Sequence, residues 1–181
     1  MRKGLCFFCL AALLCGCGRG GEERFAVWQE AAAGAELSFS ARVTASVDGT
    51  AWTYAAGVRS GTEETEVTLT EPAALSGLTL RQRGESTLEY DGAVLALPPV
   101  AATGDSPAAA LPLLCAALRG GRLLSWSKLG EGMEAELYVS EEERLLVVFD
   151  GAMTPLSAVL VSRGRAAVTI EIAGFAQKGG E

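Results

Sequence analysis

From Glu36 onward the chain alternates apolar and polar residues, and this alternation restricts its fold more than any other feature. Leu37, Phe39, Ala41, Val43, Ala45 and Val47 hold one parity; Ser38, Ser40, Arg42, Thr44 and Ser46 hold the other. A period of two puts the first set on one face of an extended strand and the second set on the opposite face. One face is wet and the other must be covered, which calls for an antiparallel sheet with something packed on one side.

The same pattern recurs along the chain. Asp48-Gly49 is a hairpin turn, and Trp52, Tyr54, Ala56 and Val58 alternate out of it. Ser60-Gly61-Thr62 turns the chain into Glu66 to Thr70, Glu71-Pro72 through Gly77 interrupts, and Leu78 to Arg81 resumes. Ser86 to Tyr90 and Ala93 to Leu97 flank a second turn at Asp91-Gly92. A later group comprises Arg122 to Lys128, Met133 to Val139, Arg144 to Phe149, Ser157 to Val161 and Ala166 to Ala173, with turns at Asp150-Gly151 and Arg163-Gly164-Arg165. About ten strands in regular succession predict a strongly curved antiparallel sheet.

Two segments depart from this period. Glu22 to Ala33 is predicted helical, with Phe25, Trp28, Gln29 and Ala32 on one face and Gly34 as a stop. After a loop from Pro98 to Gly104, Asp105-Ser106-Pro107 reads as a helix start. Leu111, Leu114, Cys115 and Leu118 then form an apolar stripe that ends at Gly120-Gly121, with a kink expected at Pro112 near the start. The tail from Gln177 to Glu181 is expected to fray.

Met1-Arg2-Lys3 followed by the apolar run Gly4 to Leu14 has the layout of an export signal. The run is too short for a membrane-spanning helix, which needs roughly 20 apolar residues. Leu14-Cys15-Gly16-Cys17 resembles the lipobox of bacterial lipoproteins, which implies cleavage after residue 16 and a diacylglyceryl group on Cys17. Two acyl chains give a stable membrane anchor where one does not. The sequence thus divides into a signal peptide (1–16), a lipidated Cys17 with a glycine tether to residue 21, one domain (22–176) and the tail (177–181). The expected location is extracytoplasmic and membrane-anchored, on the outer face of the cell membrane or on an outer membrane.

Loss of the leader takes Arg2 and Lys3 with it, so 13 basic residues face 22 acidic ones and the mature net charge is −9. Nucleic acid is excluded as a partner, since phosphate binding needs a basic stripe that is absent. Of five cysteines, Cys6, Cys9 and Cys15 leave with the leader and Cys17 carries lipid, so Cys115 remains alone and is expected to be a buried, inert thiol. The chain has no histidine, which removes His-based triads and the commonest transition-metal ligand. No catalytic residue, metal or cofactor is expected. Glu89, Asp91 and Asp150 are weighed as a glycosidase pair, but Asp91 and Asp150 precede glycines and are explained by turn chemistry. Ser106 is read as a helix cap, and Glu141-Glu142-Glu143 as a solvated connection.

The order of elements resembles the LolA/LolB-like superfamily of lipoprotein-sorting proteins. The resemblance runs from Leu37-Ser38-Phe39-Ser40-Ala41-Arg42-Val43-Thr44 through Glu71-Pro72, Tyr90-Asp91-Gly92 and the helix led by Pro107. It ends at Leu145 to Phe149, Leu156 to Val161, Val168 to Ile172 and Phe175. It implies a mainly β fold, an incomplete antiparallel β-barrel whose concave face is apolar, with the N-terminal helix and a central lid helix across it. In the sorting carriers that concavity takes lipoprotein acyl chains. The soluble carriers have an arginine where this chain has Glu71, so the lid-latching role of that arginine is not transferred. The lipobox makes the chain more similar to anchored members of the family, including Gram-positive germination-type lipoproteins.

If the resemblance holds, Phe39, Val43, Tyr54, Leu69, Leu80, Leu88, Leu137 and Ile170 line the concavity, and Leu111, Leu114 and Leu118 face it from the lid helix. The same pattern arises if helices and sheet close into a dry core. Trp28, Trp52 and Trp126 suit the lining of a cavity or an interface, since an indole combines apolar area with a hydrogen-bond donor, but ordinary core or strand packing is the expected role of each. The function expected is binding of an apolar ligand, an acyl chain or lipoprotein lipid, without catalysis. The alternative is a filled core acting as an envelope-protein partner or activator of a peptidoglycan enzyme.

Overall fold

A computed structural model describes residues 19–47, 50–97 and 107–179. The leader, Cys17, the Asp48-Gly49 turn, the 98–104 loop and the Asp105-Ser106 cap lie outside them. Helix α1 (Arg19–Gly34) is followed by β1 (Ala35–Val47), β2 (Thr50–Ser60), β3 (Thr65–Glu71), a single 3₁₀ turn (Ala73–Leu75), β4 (Thr79–Arg83), β5 (Glu85–Tyr90) and β6 (Ala93–Leu97). Then come α2 (Pro107–Gly120), β7 (Leu123–Leu129), β8 (Gly132–Tyr138), β9 (Glu143–Phe149), β10 (Pro155–Ser162) and β11 (Arg165–Gly179). No helix among the described residues is long and apolar enough to cross a membrane.

The eleven strands form one antiparallel sheet in the order β6-β5-β4-β3-β2-β1-β11-β10-β9-β8-β7. Its ends, β6 and β7, do not pair with one another, so the barrel is open. β1, β8 and β9 keep a period-two burial pattern, and the register lines up the apolar residues of the central strands. Ala135, Val147, Ala158, Ile170 and Val43 form one cross-strand row. All five are essentially inaccessible, which is what period-two burial on one face requires.

The two helices cover this part of the concave face. Phe25 of α1 stacks with Trp28 and meets Phe149 of β9 edge-on, and Trp28 packs on both Phe149 and Phe175. Leu111, Leu114 and Leu118 of α2 are fully buried, as their i, i+3, i+7 spacing directs. Pro112 lies inside α2 without ending it. Cys115 is buried and unpaired.

Two expectations about the termini are corrected. Arg19 to Gly21 belong to α1 rather than to a tether. Gly21 is buried there against Trp126, and a Cβ on it would come within 2.5 Å of the indole, so this glycine serves close packing. At the other end Gln177, Lys178 and Gly179 pair with Leu37, Glu36 and Ala35. The tail is strand to Gly179, because β1 begins directly after α1 and offers it a partner.

Candidate ligand-binding cavity

The helices do not cover the whole concave face. Along the row that begins at Phe39, the register joins Val58, Val67, Leu80, Leu88 and Leu95. Phe39, Val58 and Val67 are buried, Leu80 and Leu88 are half-buried, and Leu95 is 60% exposed. The helical layer therefore ends near β3, and β4, β5 and β6 extend beyond it with no buried residue.

In that uncovered arc lies a cavity of about 510 Å³. Val67 and Leu69 of β3, Leu80, Leu88 and Leu97 form its wall, Trp52, Thr53 and Tyr54 of β2 form one side, and Pro72, Leu75 and Leu78 close over it from the β3–β4 connection. That connection is held by backbone hydrogen bonds from Leu69 N to Leu78 O and from Gly77 N to Leu69 O, both 2.9 Å. Gly77 has φ +88°, a conformation that favours glycine. None of the described lining residues is charged. Burial raises the Tyr54 phenol above its usual range, so this hydroxyl stays neutral across all ordinary pH values.

The residues expected to line the concavity divide into two groups. Tyr54, Leu69, Leu80 and Leu88 meet at the cavity. Phe39, Val43, Leu137 and Ile170, together with Leu111, Leu114 and Leu118, lie in the close-packed core beneath the helices. Val43 and Tyr54 face one another across β1 and β2, so the boundary falls between adjacent strands. Sequence reasoning passed over Leu97 and the Pro72, Leu75 and Leu78 group. The only signal for the latter was the apolar spacing inside a proline-containing connection. Trp28 and Trp126 pack against the core as expected. Trp52 does not: it is 61% exposed at the cavity's rim, where β2 projects past the helices.

The charged groups stand elsewhere. Glu71 pairs with Arg42 at 2.9 Å on the convex face, because the register irregularity after Leu69 sets Glu71 opposite Ala55, the residue that faces Arg42 from β2. Glu89 joins Arg81 there, at 3.4 Å. Asp91 occupies the β5–β6 turn, while Asp150 Oδ1 accepts from the Ala152 and Thr154 amides in the β9–β10 turn. These carboxylates do not converge in a cleft. Of the Glu141-Glu142-Glu143 run, Glu141 and Glu142 are exposed, whereas Glu143 opens β9 and is buried. Among the described residues no group of acidic or thiol side chains is arranged to hold a metal. A second recess, of about 620 Å³, borders the outer side of α1 near Val27, Ala31 and Met153. It is a groove open to solvent, with Val27 64% exposed.

Helix α2 is fastened over the filled half. Gln29 Nε2 donates to the Gly121 carbonyl at 2.9 Å, and Arg119 donates to the Ala32 and Ala33 carbonyls at 3.0 and 3.1 Å and to the Ser60 carbonyl. Last-turn carbonyls of α1 thus accept from a side chain of α2, and the first carbonyl past α2 accepts from a side chain of α1. Desolvation lowers the Arg119 pKa, though the group remains a cation at any ordinary pH.

No family profile and no curated protein matches the sequence. Solved structures do. An uncharacterized conserved protein from Thermus thermophilus is 15% identical, over 88% of this chain and 89% of its own, with a TM-score of 0.51; the likeness is one of fold. A LolA superfamily protein from Nitrosomonas europaea is 13% identical over 89% and 94% of the two chains, with a TM-score of 0.44. A putative outer membrane lipoprotein-sorting protein domain from Vibrio parahaemolyticus is 9% identical over 90% and 95%, with a TM-score of 0.46.

Proposed function

We propose that the chain is a non-catalytic binding lipoprotein, held at the extracytoplasmic face of a membrane by a lipid on Cys17, that takes an acyl chain into the cavity between β2 and β6. The observation that supports this reading is a cavity of about 510 Å³ whose described lining carries no charged side chain. Its size falls within the range of roughly 300–1,000 Å³ common for small-molecule sites. Apolar area removed from water contributes about 25 cal/mol per Å². A chain that buries roughly eight methylenes at about 0.8 kcal/mol each gains about 6 kcal/mol, from which ordering costs are subtracted. No polar recognition motif is needed.

Native mass spectrometry of the chain from Gly18 onward, isolated without detergent, tests the proposal. A co-purifying lipid is the expected result. A chain that arrives empty, stays empty after incubation with fatty acid, and cross-links instead to an envelope protein would replace this reading with that of a protein partner.

A further inference from the structure

The cavity's size and the fastening of its neighbours say which class of lipid fits. Resting on the acyl-binding reading above, we infer that the cavity accepts one acyl chain with its polar end left in water, and rejects the two or three chains of an intact membrane lipid or a lipid-modified protein.

An apolar cavity of about 150 Å³ accommodates one benzene molecule, which allots roughly 25 Å³ to each carbon. On that scale the 510 Å³ available here holds roughly twenty carbons, the content of a single long chain. Among the described residues, further apolar room would come from the concave face that α2 covers. There Val43, Val58, Leu111, Leu114 and Leu118 are packed to 2% exposure or less. Emptying that region means lifting α2, and α2 is held to α1 by Gln29 and Arg119 and to β2 by the Arg119 contact with the Ser60 carbonyl. The filled half is therefore not a reserve into which further chains expand.

The polar end is placed by what the lining lacks. Among the described residues its polar side-chain groups are the hydroxyls of Thr53 and Tyr54 and the indole N–H of Trp52, and Tyr54 is kept neutral by burial. An ionised carboxylate or phosphate inside would find no cation among the described lining residues and would lose its hydration. The headgroup therefore stays at the rim beside Trp52, whose indole suits a boundary between hydrocarbon and water.

The test is native mass spectrometry of the mature chain carrying Cys17→Ser, incubated in parallel with palmitate, lysophosphatidylcholine below its micellar concentration, the corresponding two-chain phosphatidylcholine and a triacylated lipopeptide. The single-chain probes are expected to bind one per protein, at least tenfold more tightly than the other two. Leu88→Trp, which fills the cavity, should weaken them at least tenfold, and Leu124→Trp on β7 should not. Equal binding of the triacylated lipopeptide, or two single-chain probes per protein, overturns the one-chain inference while leaving the acyl-binding reading in place. Binding of none of the four overturns both.

Discussion

Gln29 and Arg119 reach past one another between the two helices, Arg119 donating to the Ala32 and Ala33 carbonyls at the end of α1 and Gln29 to the Gly121 carbonyl just past α2. Arg119 also holds the Ser60 carbonyl, and its Nε is the one buried side-chain nitrogen or oxygen without a partner among the described residues. The fork is thus committed to three carbonyls through its terminal nitrogens.

Arg119→Ala is expected to destabilise the fold by about 2–3 kcal/mol, the usual scale for hydrogen bonds to a charged group. Arg119→Lys should recover less than half, because an ammonium cannot fork between carbonyls on two elements. Gln29→Ala should cost about 1 kcal/mol, as a neutral hydrogen bond does. Urea unfolding followed by circular dichroism measures all three. Equal stability of Arg119→Ala and the parent chain would remove the latch from this account.

Burial pushes the Cys115 thiol up from 9.0 to about 12. Above pH 9 the unfolded chain releases this proton while the folded chain keeps it, so rising pH favours unfolding. The Cys115 contribution to stability is fully present below about pH 9 and is lost as the pH rises toward about 12. Cys115→Ala should flatten that alkaline decline in a urea-unfolding series. At pH 8 a thiol reagent should modify Cys115 no faster than the chain unfolds.

Gly132 begins β8 directly under the end of β9. A Cβ there would lie 1.9 Å from the Phe149 carbonyl oxygen. Gly132→Ala therefore forces the β8–β9 pairing apart and should cost about 3 kcal/mol or more. Thermal unfolding reads the loss. Gly120→Ala, where a Cβ meets nothing within 4 Å, is the control expected to leave stability within about 1 kcal/mol.

Cys17 stands two residues before α1. Cys17→Ser should move the protein from the membrane fraction to the soluble one, read by fractionation and immunoblot, with the domain still folded. Retention of the variant on the membrane would contradict anchoring through Cys17.

The alternation of Leu37 to Val47 and of Trp52 to Val58 was enough to place the strands and the apolar face, because period two dictates which side chains share a side. It could not show what covers that side. Val43 and Tyr54 carry the same signature and are cross-strand neighbours, yet Val43 lies beneath the helices and Tyr54 beside the cavity. The difference comes from where α1 and α2 stop along the sheet, a tertiary fact with no local trace. Gly20-Gly21 read as a tether for the same reason: the need for a bare backbone at Gly21 appears only when Trp126, far along the chain, is packed against it. The sequence around Trp52 is compatible with core packing and with cavity lining alike, and its exposure follows from the reach of β2 beyond the helical layer.

The central claim is that acyl chains occupy the arc between β2 and β6 rather than any other apolar surface. Titration of a fluorescent fatty acid into the parent chain, Leu88→Arg and Leu124→Arg tests it most directly. Leu88 faces the cavity, and Leu124 is an exposed leucine on the opposite edge strand. The account predicts that Leu88→Arg weakens binding at least tenfold with its circular dichroism unchanged, and that Leu124→Arg binds like the parent. Undiminished binding by a folded Leu88→Arg would contradict it.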